Sequence, residues 1–341
     1  MSIVISPDFC VRPALCETLD VEIAISDIIL LNKIIQQGID FLSISLCEDI
    51  MYHIEKKGFY PTDKIFKKQI KESGLDDSFA IKDLVTALLN ILDRTNDICE
   101  DNNITGVINN DEDIKFTPEL NTANGSAIDY CYRDTIKNLA AIKNINKKSH
   151  SIINSNLPNT INIEIKNPTI FINNIEIKKQ LINEDIEVNS CIRQKILKLD
   201  ISKLYSHVKN KDNLHLVLFF RTLQAINEIG GDIQSIDLDS FVIGEHFFNS
   251  LYDCQCNPDA KFSDVFLETV SKLLAGNPKN EESPFRVGKE KTAKQKTKGD
   301  LLAYRTHITK SKEGLRLMYW KCKSGGIELA NVGNKQDLEI K

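Results

Sequence analysis

The feature that most constrains this chain is a series of strand-length apolar segments near its C-terminal end, set close together on short turns. Residues 303–309, 315–321 and 327–332 are separated only by the turns 310–314 and 324–326. Strands joined by so few residues pair as antiparallel neighbours, because a parallel pair needs a crossover of roughly a dozen residues. A further short strand is expected at 285–287. Just upstream, 262–276 spaces Phe262, Val265, Phe266, Val270, Leu273 and Leu274 along one side of a helix. Ser263 is its expected cap, and Gly276-Asn277-Pro278 its stop. The segment 241–253 reads as a short apolar stretch leading into another helix. In the segment 315–320, Leu315, Leu317 and Tyr319 fall on one face and Met318 and Trp320 on the other, so both faces are expected to be covered. Arg316 interrupts this apolar strand. An unpaired charge there would be costly, so it needs a carboxylate partner, for which Glu328 is a candidate, or a cleft that receives anions.

Charge separates this end from the rest. Between Pro284 and Lys341 there are fourteen basic and six acidic side chains, an excess of eight positive charges on a chain whose net charge is −5, leaving −13 for the remainder. A basic end on an acidic body points to an anionic partner, commonly RNA or DNA. The lysine comb Lys289, Lys291, Lys294, Lys296 and Lys298, with Lys310 in the next turn, supplies the expected phosphate contacts. A charge run alone reads equally well as a solvated tail; the folded-strand pattern after the comb argues against that.

The 341 residues suffice for two or three domains, with 42% hydrophobic and 27% charged residues, ordinary for a globular protein. No apolar run reaches the length of a membrane span, and the N-terminus lacks the pattern of a secretory signal. Nine cysteines, an odd number without framework spacing, suggest reduced thiols and a cytoplasmic location. Cys254 and Cys256 form a CxC, but His207 and His215 do not lie at ligand spacing from it, so no metal and no cofactor is expected. Nucleotide-binding glycine loops, GxSxG, HExxH and calcium-loop patterns are absent, which counts against kinase, hydrolase, zinc-protease and calcium-sensor functions.

The fold class expected is α+β, in three regions: a mainly helical 1–114, a mixed 115–238 and the sheet-bearing 239–341. After a strand-like start at 3–5, Ser26-Asp27 is read as the cap of a helix through Leu30, Leu31, Ile34 and Ile35. A second apolar run, 41–58, reads as a helix stopped at Gly58, with Pro61 beyond. Residues 76–97 read as a core helix, 98–114 as an exposed junction, and 126–144 as a helix. The alternating segments on either side of Asn167-Pro168 read as a hairpin. A buried helix is expected from Leu214 to Ile229, capped by Asp212 and ended by Gly230-Gly231.

The C-terminal residues carry a resemblance. A helical pair followed by strands, Tyr304-Arg305-x-His307, the run from Gly314 to Tyr319 and the run from Ile327 to Lys335 together resemble the RelE/ParE toxin superfamily over about 100 residues (241–341). The resemblance implies ribosome-dependent mRNA cleavage or, in the ParE branch, gyrase inhibition. The RNA chemistry needs no metal: the 2′-hydroxyl attacks the adjacent phosphate, and the protein deprotonates it and stabilises the added charge. By position, Arg305 and His307 match the basic pair on the first long strand, Arg316 the phosphate-binding arginine, and Lys335 the second basic position. The terminal aromatic or histidine of active mRNA-cleaving members is missing. His307 is a candidate to supply the proton transfer in its place.

The first functional expectation is thus a RelE-like toxin or phage-defence protein, acting on RNA or the ribosome as a metal-independent endoribonuclease. Its acidic N-terminal region would restrain or trigger it, and an antitoxin or defence-complex protein is the expected partner. The alternative is a non-catalytic nucleic-acid- or protein-binding subunit of a defence complex.

Overall fold

A computed structural model describes the whole chain except residues 1, 39–41, 57, 121–126, 155–156, 289, 291, 311–313, 324 and 338, with backbone only at 19, 111 and 127–131. The protein is α+β and divides into two compact units, Met1–Lys195 and Ile196–Lys341. The sequence regions meeting at 114/115 do not form separate bodies, because strands from both sides of that point share one sheet.

The first unit runs β1 (Ser2–Ile5), α1 (Pro7–Leu15), α2 (Val21–Gln36), β2 (Ser43–Leu46), α3 (Ile50–Lys56), α4 (Asp63–Glu72), α5 (Ile81–Arg94), α6 (Ile98–Asp101), β3 (Ile104–Ile108), β4 (Ile114–Thr117) and α7 (Ala127–Asn146). It continues through β5 (His150–Ile153), β6 (Thr160–Lys166), β7 (Thr169–Ile172), β8 (Ile175–Lys178) and β9 (Leu181–Asn189), and α8 (Ile192–Leu197) leads out of it. The main sheet has the order β2-β1-β5-β9-β6-β4. Its first four strands are mutually parallel, and β6 and β4 are antiparallel additions. Every residue of β1 is buried, as expected of a central strand covered on both faces. Its core is built largely from isoleucines of β5, β6 and β9 together with Ile136, Leu139 and Ile142 of α7.

Several local expectations are corrected here. Ser26-Asp27 lies inside α2, not at its start. Asp27 is fully buried, with Arg12 Nη1 at 3.8 Å and Arg193 Nε at 4.0 Å. These partners are distant in sequence, so the aspartate looked like a cap. The apolar run 41–58 is not one helix: it supplies β2 and then α3, with Asp49 at φ 52 between them. Residues 98–114 hold α6, β3 and the start of β4 instead of an open junction. The segments flanking Asn167-Pro168 do not pair with each other. β6 lies between β9 and β4, whereas β7 joins a small sheet of order β3-β7-β8. The tight hairpin is β7–β8, whose two turn residues Asn173 and Asn174 both have positive φ (48 and 63), as a two-residue I′-type turn requires. The helices expected at 76–97 and 126–144 are present as α5 and α7.

The second unit continues with α9 (Ile201–Tyr205), α10 (Lys211–Glu228), β10 (Phe241–Ile243), α11 (Phe247–Asp253), α12 (Ser263–Leu274), β11 (Ser283–Pro284), β12 (Thr297–Lys298), β13 (Leu301–His307), β14 (Arg316–Lys321) and β15 (Ile327–Gly333). Its sheet has the order β10-β15-β14-β13-β11, with β12 also on β13. β13, β14 and β15 are antiparallel, as the short turns require, and β10 is parallel to β15. Asn210, not Asp212, caps α10, accepting from the Asn213 N–H at 2.8 Å. Ser263 opens α12 without acting as its cap. α11 packs on β15, fixed by a 2.9 Å hydrogen bond from the Val332 N–H to Ser250 Oγ. Tyr205 stacks on Phe266 at 6.1 Å and donates to the Cys256 carbonyl at 2.6 Å. Among the described residues no helix is long and apolar enough to cross a membrane.

Candidate functional site

β13 and β14 pair in register, Ala303 with Trp320, Arg305 with Met318 and His307 with Arg316. Alternation along a strand then places Arg305, His307, Arg316, Met318 and Trp320 on one sheet face. The opposite face carries Leu317 and Tyr319, both fully buried, with Tyr304 stacked on Tyr319 at 6.0 Å. The sequence reading of a strand covered on both sides therefore holds. Around Trp320 the covering of the first face comes from Phe285, Leu301 and Ile340.

The basic side chains sit at the other end of that face. Arg305, His307 and Arg316 are half-buried. Burial and the neighbouring Arg316 guanidinium lower the His307 pKa, with Lys310 and Arg305 adding to the effect and the Thr309 backbone opposing it. Burial and Arg305 likewise lower that of Arg316. These couplings place the three groups within electrostatic reach of one another. The site therefore holds a neutral imidazole between two guanidinium groups at neutral pH.

Arg316 does not pair with Glu328. That carboxylate receives Lys298 Nζ at 2.7 and 3.0 Å, and it faces Trp320 across the sheet. Arg316 instead donates from Nη1 to the Lys335 carbonyl at 3.2 Å, and among the described residues it forms no ion pair. Lys335 thus reaches the site through its backbone. Its side chain lies against Gly314, where an added Cβ would come within 3.2 Å of the Lys335 Cβ. Gly314 also has φ +56, so the turn requires glycine twice over.

Of the lysine comb, Lys289 and Lys291 lie outside the described residues. Lys294 is exposed, Lys296 sits over the Phe285 ring at 5.0 Å, and Lys298 is held by Glu328. Arg305 also lies over the Phe285 ring, at 5.5 Å. Lys310 is exposed just beyond β13. The described part of the comb, residues 294–298, is thus held to the sheet through β12 and the Arg286–Gln295 bridge. Cys254 and Cys256 are buried, and burial pushes their thiols up to about 11 and about 12. Among the described residues no three His, Cys, Asp or Glu side chains gather in a metal-binding arrangement.

Three residues near the basic cluster escaped the sequence reading. Asn331, 3% exposed, faces Met318 and accepts the Lys341 N–H at 3.0 Å. Asp337 accepts the Asn334 N–H at 2.5 Å and lies against Gly333, the register partner of Arg316. Asn280 donates to the His307 carbonyl at 2.7 Å and so anchors the end of β13. The one visible signal was a polar residue in the run 327–332, where Asn331 stands with Glu328 as one of two. No protein-family model, no curated protein and no solved structure matches this chain.

Proposed function

We propose that the second unit binds RNA on the face carrying Arg305, His307 and Arg316 and cleaves it by attack of the 2′-hydroxyl on the neighbouring phosphate, which breaks the P–O5′ bond and releases a 5′-hydroxyl end. In this reading the protein is a RelE-like toxin or defence protein directed at RNA or the translation machinery. The observation that carries it is the register pairing of His307 with Arg316, with Arg305 two residues back on the same face. The imidazole, kept neutral by its surroundings, accepts the 2′-hydroxyl proton. The two guanidinium groups receive the charge that develops on the phosphate. Arg316 is suited to this because the charge that acts on it is the Arg305 guanidinium and its hydrogen bond goes to a backbone carbonyl.

The test is incubation of the full chain with 5′-labelled single-stranded RNA and with DNA of the same sequence. The expected products end in a 2′,3′-cyclic phosphate, and the DNA, lacking the nucleophile, stays intact. Arg316→Ala should slow cleavage on the order of a hundredfold, the typical loss when one charge-stabilising donor is removed. Binding without cleavage would replace this reading with that of a nucleic-acid-binding subunit.

A further inference from the structure

A separate cleft lies at the far end of the same sheet. Its position is set by Phe241 and Ile327, register partners on β10 and β15. Arg316 pairs with Gly333, at the opposite end of β15, so the cleft is distinct from the basic face. Its volume is about 360 Å³, within the range of sites for small organic ligands. The floor is apolar: Ile226, Ile236 and Phe241 are buried, and Leu274 and Ile327 form half-buried walls.

The rim is electronegative for two independent reasons. First, two helices end there. Gly230 (φ +70) closes α10 with the Gly231 N–H returning to the Ile226 carbonyl at 2.9 Å. Gly276 (φ +72) closes α12 in the same manner, with the Asn277 N–H on the Lys272 carbonyl at 2.9 Å. Each helix C-terminus carries about half a negative charge. Second, the connection from α10 to β10, residues 230–240, supplies Gly231, Asp232, Ser235, Ile236 and Ser240 to the lining and contains three aspartates and neither Lys nor Arg. Asp232 lines the cleft itself, and no described lining residue is basic.

We infer that this cleft binds a small amphiphilic cation, an apolar body carrying a primary ammonium group. The body would cover the isoleucine and phenylalanine floor, and the ammonium would meet Asp232 and the two helix ends. An anion of the same shape would face charge of its own sign, and a neutral isostere would keep only the apolar contribution.

The probes are phenethylammonium, 2-phenylethanol and phenylacetate, titrated into the full chain by calorimetry and by ligand-observed NMR. The expected order is ammonium tightest, then alcohol, then carboxylate, with a first step of about threefold, the scale of one partly solvated charge contact. Asp232→Asn should reduce the advantage of the ammonium and leave the alcohol unchanged. The asparagine retains the oxygen that accepts the Gln234 N–H at 2.9 Å, so the turn survives. Leu274→Trp, on a half-buried wall, should abolish binding of all three probes while the circular dichroism spectrum stays native. The inference is overturned if no probe binds at millimolar concentration or if the alcohol binds as tightly as the ammonium. It is equally overturned if Asp232→Asn leaves the preference intact, or if a natively folded Leu274→Trp still binds.

Discussion

His307 and Arg316 are register partners on β13 and β14, so a histidine able to take a proton is tied to a cation able to hold a phosphate. The pairing has a direct consequence for pH dependence. Burial, and next Arg316, lower the His307 pKa from its usual 6.5. The neutral base therefore persists below the normal histidine midpoint. Cleavage should be flat around neutrality and fall as pH drops through a midpoint below 6.5. Arg316→Ala should shift that midpoint upward as well as slow the reaction. A rate profile from pH 4.5 to 8 on both proteins checks this, and an unmoved midpoint would sever the electrostatic link.

RNA affinity should fall steeply with salt, at a log–log slope of about −0.7 for each single-strand phosphate neutralised. The lysines of the comb are not equivalent in this respect. Lys298 is already engaged by Glu328, and Lys294 is exposed. Lys294→Ala should flatten the slope more than Lys298→Ala. Trp320 is the chain's only tryptophan and shares the sheet face of Arg305 and Arg316, at its covered end, so its fluorescence provides the titration signal. Equal slopes in the two variants would mean that the comb does not meet phosphate at Lys294.

The antiparallel sheet was legible because its strands are short, apolar and joined by turns with little freedom. The three basic side chains share a face because they sit two apart on one strand and opposite on the next, a relation that local pattern specifies. Lys335 was read only in part: the resemblance assigned its side chain to the second basic position, but its contact with Arg316 is made by its carbonyl. The first unit was much less legible. Its strands β1 and β5 are four residues long and buried on both faces, so they show no alternation, and they pair with each other across 148 positions, as Ile5 does with Ile153. Asp27 shows the same limit. A carboxylate whose partners lie on α1 and α8 carries no local mark of being buried.

That network gives a stability prediction. Asp27 is fully buried, and burial pushes its carboxyl up to about 7 even though Arg193 and then Arg12 pull it down. Arg193 is itself 1% exposed. Asp27→Ala would leave a buried guanidinium without its carboxylate, at a cost of about 3–5 kcal/mol. Asp27→Leu combined with Arg193→Met should recover much of that loss, since replacing both charges removes the uncompensated one. Urea unfolding followed by far-ultraviolet circular dichroism measures both; a double variant no better than the single would show that the charges are not coupled.

His150 provides the last prediction, for the opposite end of the parallel strands. It opens β5 opposite Ser2, is 7% exposed, and neither ring nitrogen has a hydrogen-bond partner among the described residues. Burial and then Lys148 lower its pKa from 6.5 to about 4, with Asp101 opposing. A lowered histidine pKa means that the unfolded chain takes up the proton first as pH falls. The stabilisation is therefore complete above about 6.5 and is lost between there and about 4, to a limit of about 3 kcal/mol. Asp27 acts in the opposite sense: its raised pKa makes stability fall as pH rises toward 7. Comparing the native chain with His150→Leu isolates the histidine contribution, because Asp27 is common to both. Hydrogen exchange of the β5 amides at pH 7.5 and 4.5, corrected for intrinsic rates, should show protection dropping with acid in the native chain and much less in His150→Leu. An equal drop in the two proteins would assign the acid sensitivity to other groups.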